Sequence, residues 1–276
     1  MADYSVGVSC DTLPMILAVL SITGYLAAFA LLLVDLRRER GNAAGWLATA
    51  TFAAILHATV HLLAWRHTGG ADMHFFAALS LVGLGMAVLT TLFGASGRMA
   101  ALGVVVYPLA ALVLAAYAGY GPHLAEPLDW RLQLHAWCAL LAYATLAVAA
   151  LLAVMLWLQD RALRRHQFGS WRRALPPLTE LETLLFRTVA VGFALLTATL
   201  LTGMLFVEDL LAQHLVHKTV LSVLSWLVFG GLLLGRWRRG WRGRTAVGWT
   251  LVAMALLVLA FFGSKAVLEL VLHRVG

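Results

Sequence analysis

The feature that most constrains this chain is a succession of long apolar runs separated by short polar breaks. A helix rises about 1.5 Å per residue, so roughly twenty apolar residues match the ~30 Å hydrocarbon core of a bilayer. Eight runs of this kind are read, at 13–34, 44–65, 74–93, 99–118, 133–157, 183–207, 217–235 and 245–272. The breaks carry loop residues, as in Arg40-Gly41-Asn42, Gly69-Gly70, Gly94-Ala95-Ser96-Gly97 and Gly119-Tyr120-Gly121-Pro122. The longest break, 158–182, holds Pro176-Pro177, and a helix is expected to start at Thr179. The expected fold is all-α: a polytopic membrane helix bundle of about eight transmembrane helices, with 1–276 as a single transmembrane domain.

Composition supports this reading. Hydrophobic residues make up 62% of the chain and charged residues 12%, where a soluble domain carries about 25% charged. The net charge of +7 does not imply nucleic acid, because the basic residues flank the apolar runs, where they act as topology determinants. The tail Met1–Thr12 has Asp3 and Asp11 but no Lys or Arg. It lacks the positive segment and cleavage site of a signal peptide, so the first run is expected to be retained as a helix. Cys10 and Cys138 form no CxxC pair, so neither a disulfide framework nor a thiolate metal site is expected, and Cys138 reads as a small core residue. Walker A, GxSxG, HExxH and EF-hand patterns are missing. Nothing requires covalent catalysis, and no enzymatic activity is assigned.

Arginine and lysine set the expected orientation. The first, third, fifth and seventh loops together carry 14 of them, including Arg161, Arg164, Arg165, Arg236, Arg238, Arg239, Arg242 and Arg244. The other face carries 3: Arg66, Arg131 and Arg274. Both termini are therefore expected outside, with the arginine-rich loops cytoplasmic.

On that map nine of the ten histidines fall on or near the outer face, and only His166 is cytoplasmic. Intramembrane histidines commonly mark ligand, proton or metal paths, although tolerance of imidazole at interfaces accounts for part of such a bias. His57 and His61, four apart, share a helical face and are candidates for holding a cofactor or metal jointly, with a satisfied packing role as the alternative. His214 and His217 beside Lys218 form a candidate basic patch for an anionic ligand, or a plain interfacial helix end. His135 and His273 stand at the outer ends of two different helices and are candidates to face each other across a site. His67, His74 and His123 read as solvated surface. Lys265 and Glu269, four apart, are expected to pair, and Glu208 and Asp209 to be interfacial. Trp137, Tyr143 and Trp226 read as packing or belt aromatics.

Three segments carry a family resemblance. Leu132-Gln133-Leu134-His135-Ala136-Trp137, followed by Leu140-Leu141-Ala142-Tyr143-Ala144, resembles the H-x(7)-Y segment of the CcsA/CcmC-type cytochrome c assembly proteins. His217-Lys218-Thr219 through Trp226 resembles the stretch that closes that family's tryptophan-rich motif, and Phe262-Gly263-Ser264-Lys265 to Leu272-His273 resembles its last helix. The resemblance is best over 130–276 and weak over 1–125. Where the family has its Trp-rich, Asp-containing segment, this chain has Glu208-Asp209-Leu210-Leu211-Ala212-Gln213-His214-Leu215-Val216-His217-Lys218, without a tryptophan. The resemblance implies an inner-membrane protein that binds or handles haem (haem b). It makes His135 and His273 the axial ligands of the haem iron, with His57, His61, His214 and His217 secondary. Implied partners are the lipid bilayer, haem and another membrane or periplasmic protein. A scaffold or accessory subunit that kept the fold without haem is the alternative, and a small-molecule transporter is a more remote one.

Overall fold

In a computed structural model of the chain, the residues described are 7–38, 43–68, 70, 72–95, 100–121, 129–165, 177–206 and 213–263, with backbone only for 7–11, 38, 68 and 213–215. Among them every regular element is helical: α1 (Gly7–Arg38), α2 (Ala44–Thr68), α3 (Phe75–Gly94), α4 (Gly103–Tyr120), α5 (Trp130–Arg164), α6 (Leu178–Phe206), α7 (Gln213–Arg239) and α8 (Gly243–Val258). A short 3-10 turn, Ala100–Leu102, leads into α4, and a π-helical turn, Leu259–Gly263, prolongs α8. All eight spans are long and apolar enough to cross a membrane. The surface agrees with a lipid environment: Leu112 and Met204 leave 66% and 75% of their area exposed, while Ser21, Ser80, Ser225 and Thr250 are fully buried.

The helices run past several of the expected apolar boundaries. α5 ends at Arg164, beyond the apolar run that stops at 157, and α6 starts at Leu178, ahead of 183. Hydropathy marks the membrane-length part of a helix, whereas its polar ends are held by local pairs. Arg164 donates from Nε to Asp160 Oδ2 at 2.9 Å, one turn earlier. The last helix, expected over 245–272, is described only to Gly263.

The chain divides into two compact units, Met1–Pro127 and Leu128–Gly276. In the first, α1 packs on α2 and α4, and α3 packs on α4 and α2. Lipid offers no hydrophobic driving force between helices, so close backbone approach and interhelical hydrogen bonds must do that work. The α1–α2 seam does both: Ser21 Oγ donates to the Ala53 carbonyl at 2.8 Å, and Gly24 lies against the Ala53 side chain.

In the second unit α5 packs on α6 and α8, and α7 packs on α8 and α6. Three of these seams are pinned by a polar side chain. Tyr143 donates to the Leu257 carbonyl at 2.6 Å, Ser225 to the Ala253 carbonyl at 2.8 Å, and the Trp226 indole to Thr197 Oγ1 at 2.9 Å. Trp226 also stacks on Phe193. The tyrosine and tryptophan expected as packing aromatics are thus interhelical clamps. At the arginine-rich end, Glu182 of α6 accepts from the Gly243 N–H at 2.9 Å, and Arg236 donates to the Trp241 carbonyl at 3.2 Å. Together these bonds fasten the α7–α8 turn.

Candidate functional site

Each of the two units holds a histidine-bearing constellation. In the second unit a cavity of about 450 Å³ opens at the end opposite the arginine clusters, bounded by the start of α5, the end of α6, the start of α7 and the π turn after α8. Its size falls within the range of small-molecule sites. The walls are mainly apolar, from Ala142, Leu196, Leu200, Val223, Leu257 and Phe261, while Lys218, Thr219 and Ser222 contribute polar lining. π turns often accompany functional sites because they bulge one side of a helix. Here Ala260 and Phe261 of that turn line the cavity.

His135 lines this cavity from the second turn of α5. That helix is started by Asp129, whose carboxylate accepts the Trp130 N–H at 2.8 Å, a cap that sets the register of the first turns. The imidazole Nδ1 lies 3.1 Å from the Thr199 carbonyl and 3.2 Å from Thr202 Oγ1. A carbonyl only accepts, so neutral His135 carries its proton on Nδ1 and the lone pair on Nε2. That is the tautomer a metal-ligating histidine needs, fixed by an outer hydrogen bond.

The ring owes its place to Gly203. A Cβ built there would stand 3.1 Å from His135 Cε1 and 3.4 Å from Nδ1. Alanine is expected to be nearly tolerated, whereas Gly203→Val is expected to tilt the ring off the Thr199 carbonyl. Loss of such an outer-shell partner costs about 10–100-fold in metal affinity. The comparison that checks it is the histidine nitrogen NMR spectrum of Gly203→Ala and Gly203→Val at matched thermal stability; a His135 ring unchanged in both would refute the steric role.

In the first unit, His57 and His61 share a face of α2 as expected, and that face is turned inward. His57 is fully buried, and its Nε2 lies 2.9 Å from Ser80 Oγ, which also meets His61 Nε2 at 3.0 Å. Tyr25 reaches His57 Nδ1 at 3.3 Å. His61 stacks on Tyr117 with 4.6 Å between ring centroids, and His74 stacks on Tyr117 as well. His74, expected as solvated surface, is half-buried and bonds Asp72 at 2.6 Å through Nδ1. Loop position alone misplaced it, because the segment folds back onto α4. The Nε2 atoms of His57 and His61 are thus engaged by one hydroxyl, and among the described residues no group of three or more His, Cys, Asp or Glu is arranged to hold a metal ion.

His217 is exposed on α7 beside Lys218, which lines the cavity. Cys138 is a free, half-buried thiol. The side chain of His214, and all of His123, His166, Glu208, Asp209, Lys265, Glu269 and His273, lie outside the described residues. Sequence reasoning missed Gly203, Thr199, Thr202 and Ser80. Each acts across a helix seam, and no spacing along one helix reports that.

Comparison with known proteins covers both units. The chain is 31% identical over 268 residues to the inner membrane protein YpjD of Escherichia coli strain K12, spanning 93% of this chain and 99% of that protein. An uncharacterized 28.8 kDa protein of Azospirillum brasilense is 40% identical over 143 residues, 51% of this chain and 53% of its own length. The cytochrome c biogenesis protein CcsA of Synechococcus sp. strain CC9605 is 26% identical over 168 residues, 52% of this chain and 55% of its own. No solved structure matches. A sequence profile of the cytochrome C assembly proteins matches residues 43–272, from the start of α2 past the π turn. Eight membrane-length helices and a match over most of the chain give one conclusion: this chain belongs to the cytochrome c assembly protein family.

Proposed function

We propose that this protein is a multi-pass inner-membrane protein that binds or hands on haem, with His135 as an axial ligand of the iron. The observation that carries the reading is the Nδ1 bond of His135 to the Thr199 carbonyl, 3.1 Å long, on a ring that lines the 450 Å³ cavity. It leaves Nε2 as the nitrogen with a lone pair, and neutral imidazole is a usual haem ligand. The residues present fit the group: apolar walls suit a porphyrin face, and Lys218, Thr219 and Ser222 offer polar contacts to its carboxylates. A bound haem would supply the iron that accepts this lone pair. The protein's own part is to orient the ring through Thr199 and Thr202 and to exclude water with the apolar wall.

The finer parts of the proposal are haem b as the form bound, His273 as second ligand, a site at the outer face, and a membrane or periplasmic protein that receives the haem. A role in cytochrome c biogenesis is supported by the family and by the name of the CcsA relatives. The deciding measurement is an absorption spectrum of the detergent-purified protein before and after haem addition and gel filtration. A retained, sharpened Soret band with split visible bands on reduction is expected. Protein that elutes colourless would sink the idea.

The orientation is proposed from the arginine bias of 14 to 3. Alkaline phosphatase fused after Gly276 is expected to be active, and the same enzyme fused after Arg239 inactive. The reverse pattern would place the histidine-bearing end in the cytoplasm.

A further inference from the structure

The second unit has another cavity, at the end opposite His135, where the ends of α5, α6 and α8 meet. Its volume is about 210 Å³. Leu156, Trp157, Leu178 and Val247 form an apolar wall, and Arg242 and Arg244 stand exposed at its edge. We propose that this cavity is a binding site for an anionic glycerophospholipid, with the phosphate held by Arg242 and Arg244 and part of an acyl chain against the apolar wall.

Three observations support that occupant. The first is charge. Residues 156–165, 177–182 and 236–247 hold eight arginines and three carboxylates. Two of these carboxylates line the cavity and are already engaged: Asp160 with Arg164 at 2.9 Å, and Glu182 with the Gly243 N–H at 2.9 Å and Arg236 at 3.8 Å. Among the described residues neither Arg242 nor Arg244 has a carboxylate within ion-pair distance. The guanidinium fork suits a phosphodiester better than an ammonium does.

The second observation is depth. Arg161 lies over the Trp157 ring at 5.3 Å and Arg238 over Trp237 at 5.7 Å. Such aromatics mark the headgroup level of a bilayer, which is where a lipid phosphate sits.

The third is shape. One wall is apolar and the rim cationic, so the site matches an amphiphile rather than a free anion. Basic pockets between transmembrane helices bind anionic headgroups for this reason.

The test uses the full-length protein in mixed micelles, titrated with phosphatidylglycerol or phosphatidylcholine and read by native mass spectrometry. The wild type is expected to retain phosphatidylglycerol roughly tenfold or more over phosphatidylcholine. Arg242→Gln/Arg244→Gln is expected to lose that preference. Arg238→Gln/Arg239→Gln removes the same charge outside the cavity lining and is expected to keep it. Equal retention of the two lipids by the wild type would overturn the proposal, as would equal losses in the two double variants, which would mean diffuse charge. Displacement of the lipid by millimolar glycerol phosphate would also overturn it, by showing a headgroup-only site. If Arg242→Gln/Arg244→Gln fails to fold, the wild-type preference and the Arg238→Gln/Arg239→Gln result still decide.

Discussion

Replacing His135 by alanine is expected to abolish haem retention, leaving a protein that folds and purifies like the wild type but elutes without a Soret band. Folding should survive because the ring is half-buried at the cavity end of the α5–α6 seam, where it meets Thr199, Thr202 and Gly203. That seam is held elsewhere, for example where a Cβ on Gly192 would meet Leu146 Cδ2 at 2.5 Å. Losing a direct ligand should cost more than the 10–100-fold typical of losing an outer-shell partner. Imidazole added to the His135→Ala protein is expected to restore part of the band, since the cavity would then admit a free ligand. A variant that holds haem as tightly as the wild type would remove His135 from the site. Parallel measurement on His273→Ala separates the two proposed ligands. With His135 still in place, that variant should keep a weaker, five-coordinate spectrum.

The second large effect is expected in the first unit and concerns stability. Among the described residues, the Ser80 hydroxyl has two hydrogen-bond partners, both imidazoles. It owns one proton, so it donates to one ring and accepts from the other. Ser80→Ala removes the bridge and strands two buried ring nitrogens together. Interhelical hydrogen bonds in membranes average only about 0.6 kcal/mol, which would make the loss small. The stranding term is larger, about 1–3 kcal/mol for the fully buried His57 nitrogen and less for the half-buried His61, so a loss of roughly 2–4 kcal/mol is expected. Ser80→Thr keeps the hydroxyl and is expected to recover most of it. Thermal unfolding in detergent, followed by circular dichroism, makes the comparison. A Ser80→Ala midpoint within a degree of wild type would mean that water replaces the hydroxyl.

Both predictions rest on residues that differ in how readable they were. His135 was legible as a candidate because it sits in a motif and on the histidine-rich side of a simple charge map. His57 and His61 were legible as a pair, since four residues return a helix to the same face. Which way that face turns was not legible. Their environment is made by Tyr25 on α1, Ser80 on α3 and Tyr117 on α4, so the pair became a buried hydrogen-bonded core. His74 shows the converse error. A loop position suggested solvent, yet Asp72 and Tyr117 cover it.

The chain alone determined the number of spans, their approximate limits and the side on which arginine collects, because each depends only on composition within one segment of membrane length. It also determined the family, through local motifs that survive as strings. The tertiary structure decided which nitrogen of His135 carries the proton, where a glycine makes room for its ring, and which arginines border a cavity. These depend on distances between helices that are far apart in sequence: Thr199 and Gly203 stand more than sixty residues from His135. A periodic pattern records what a helix presents to its surroundings in general, but not which atom of which neighbour it meets.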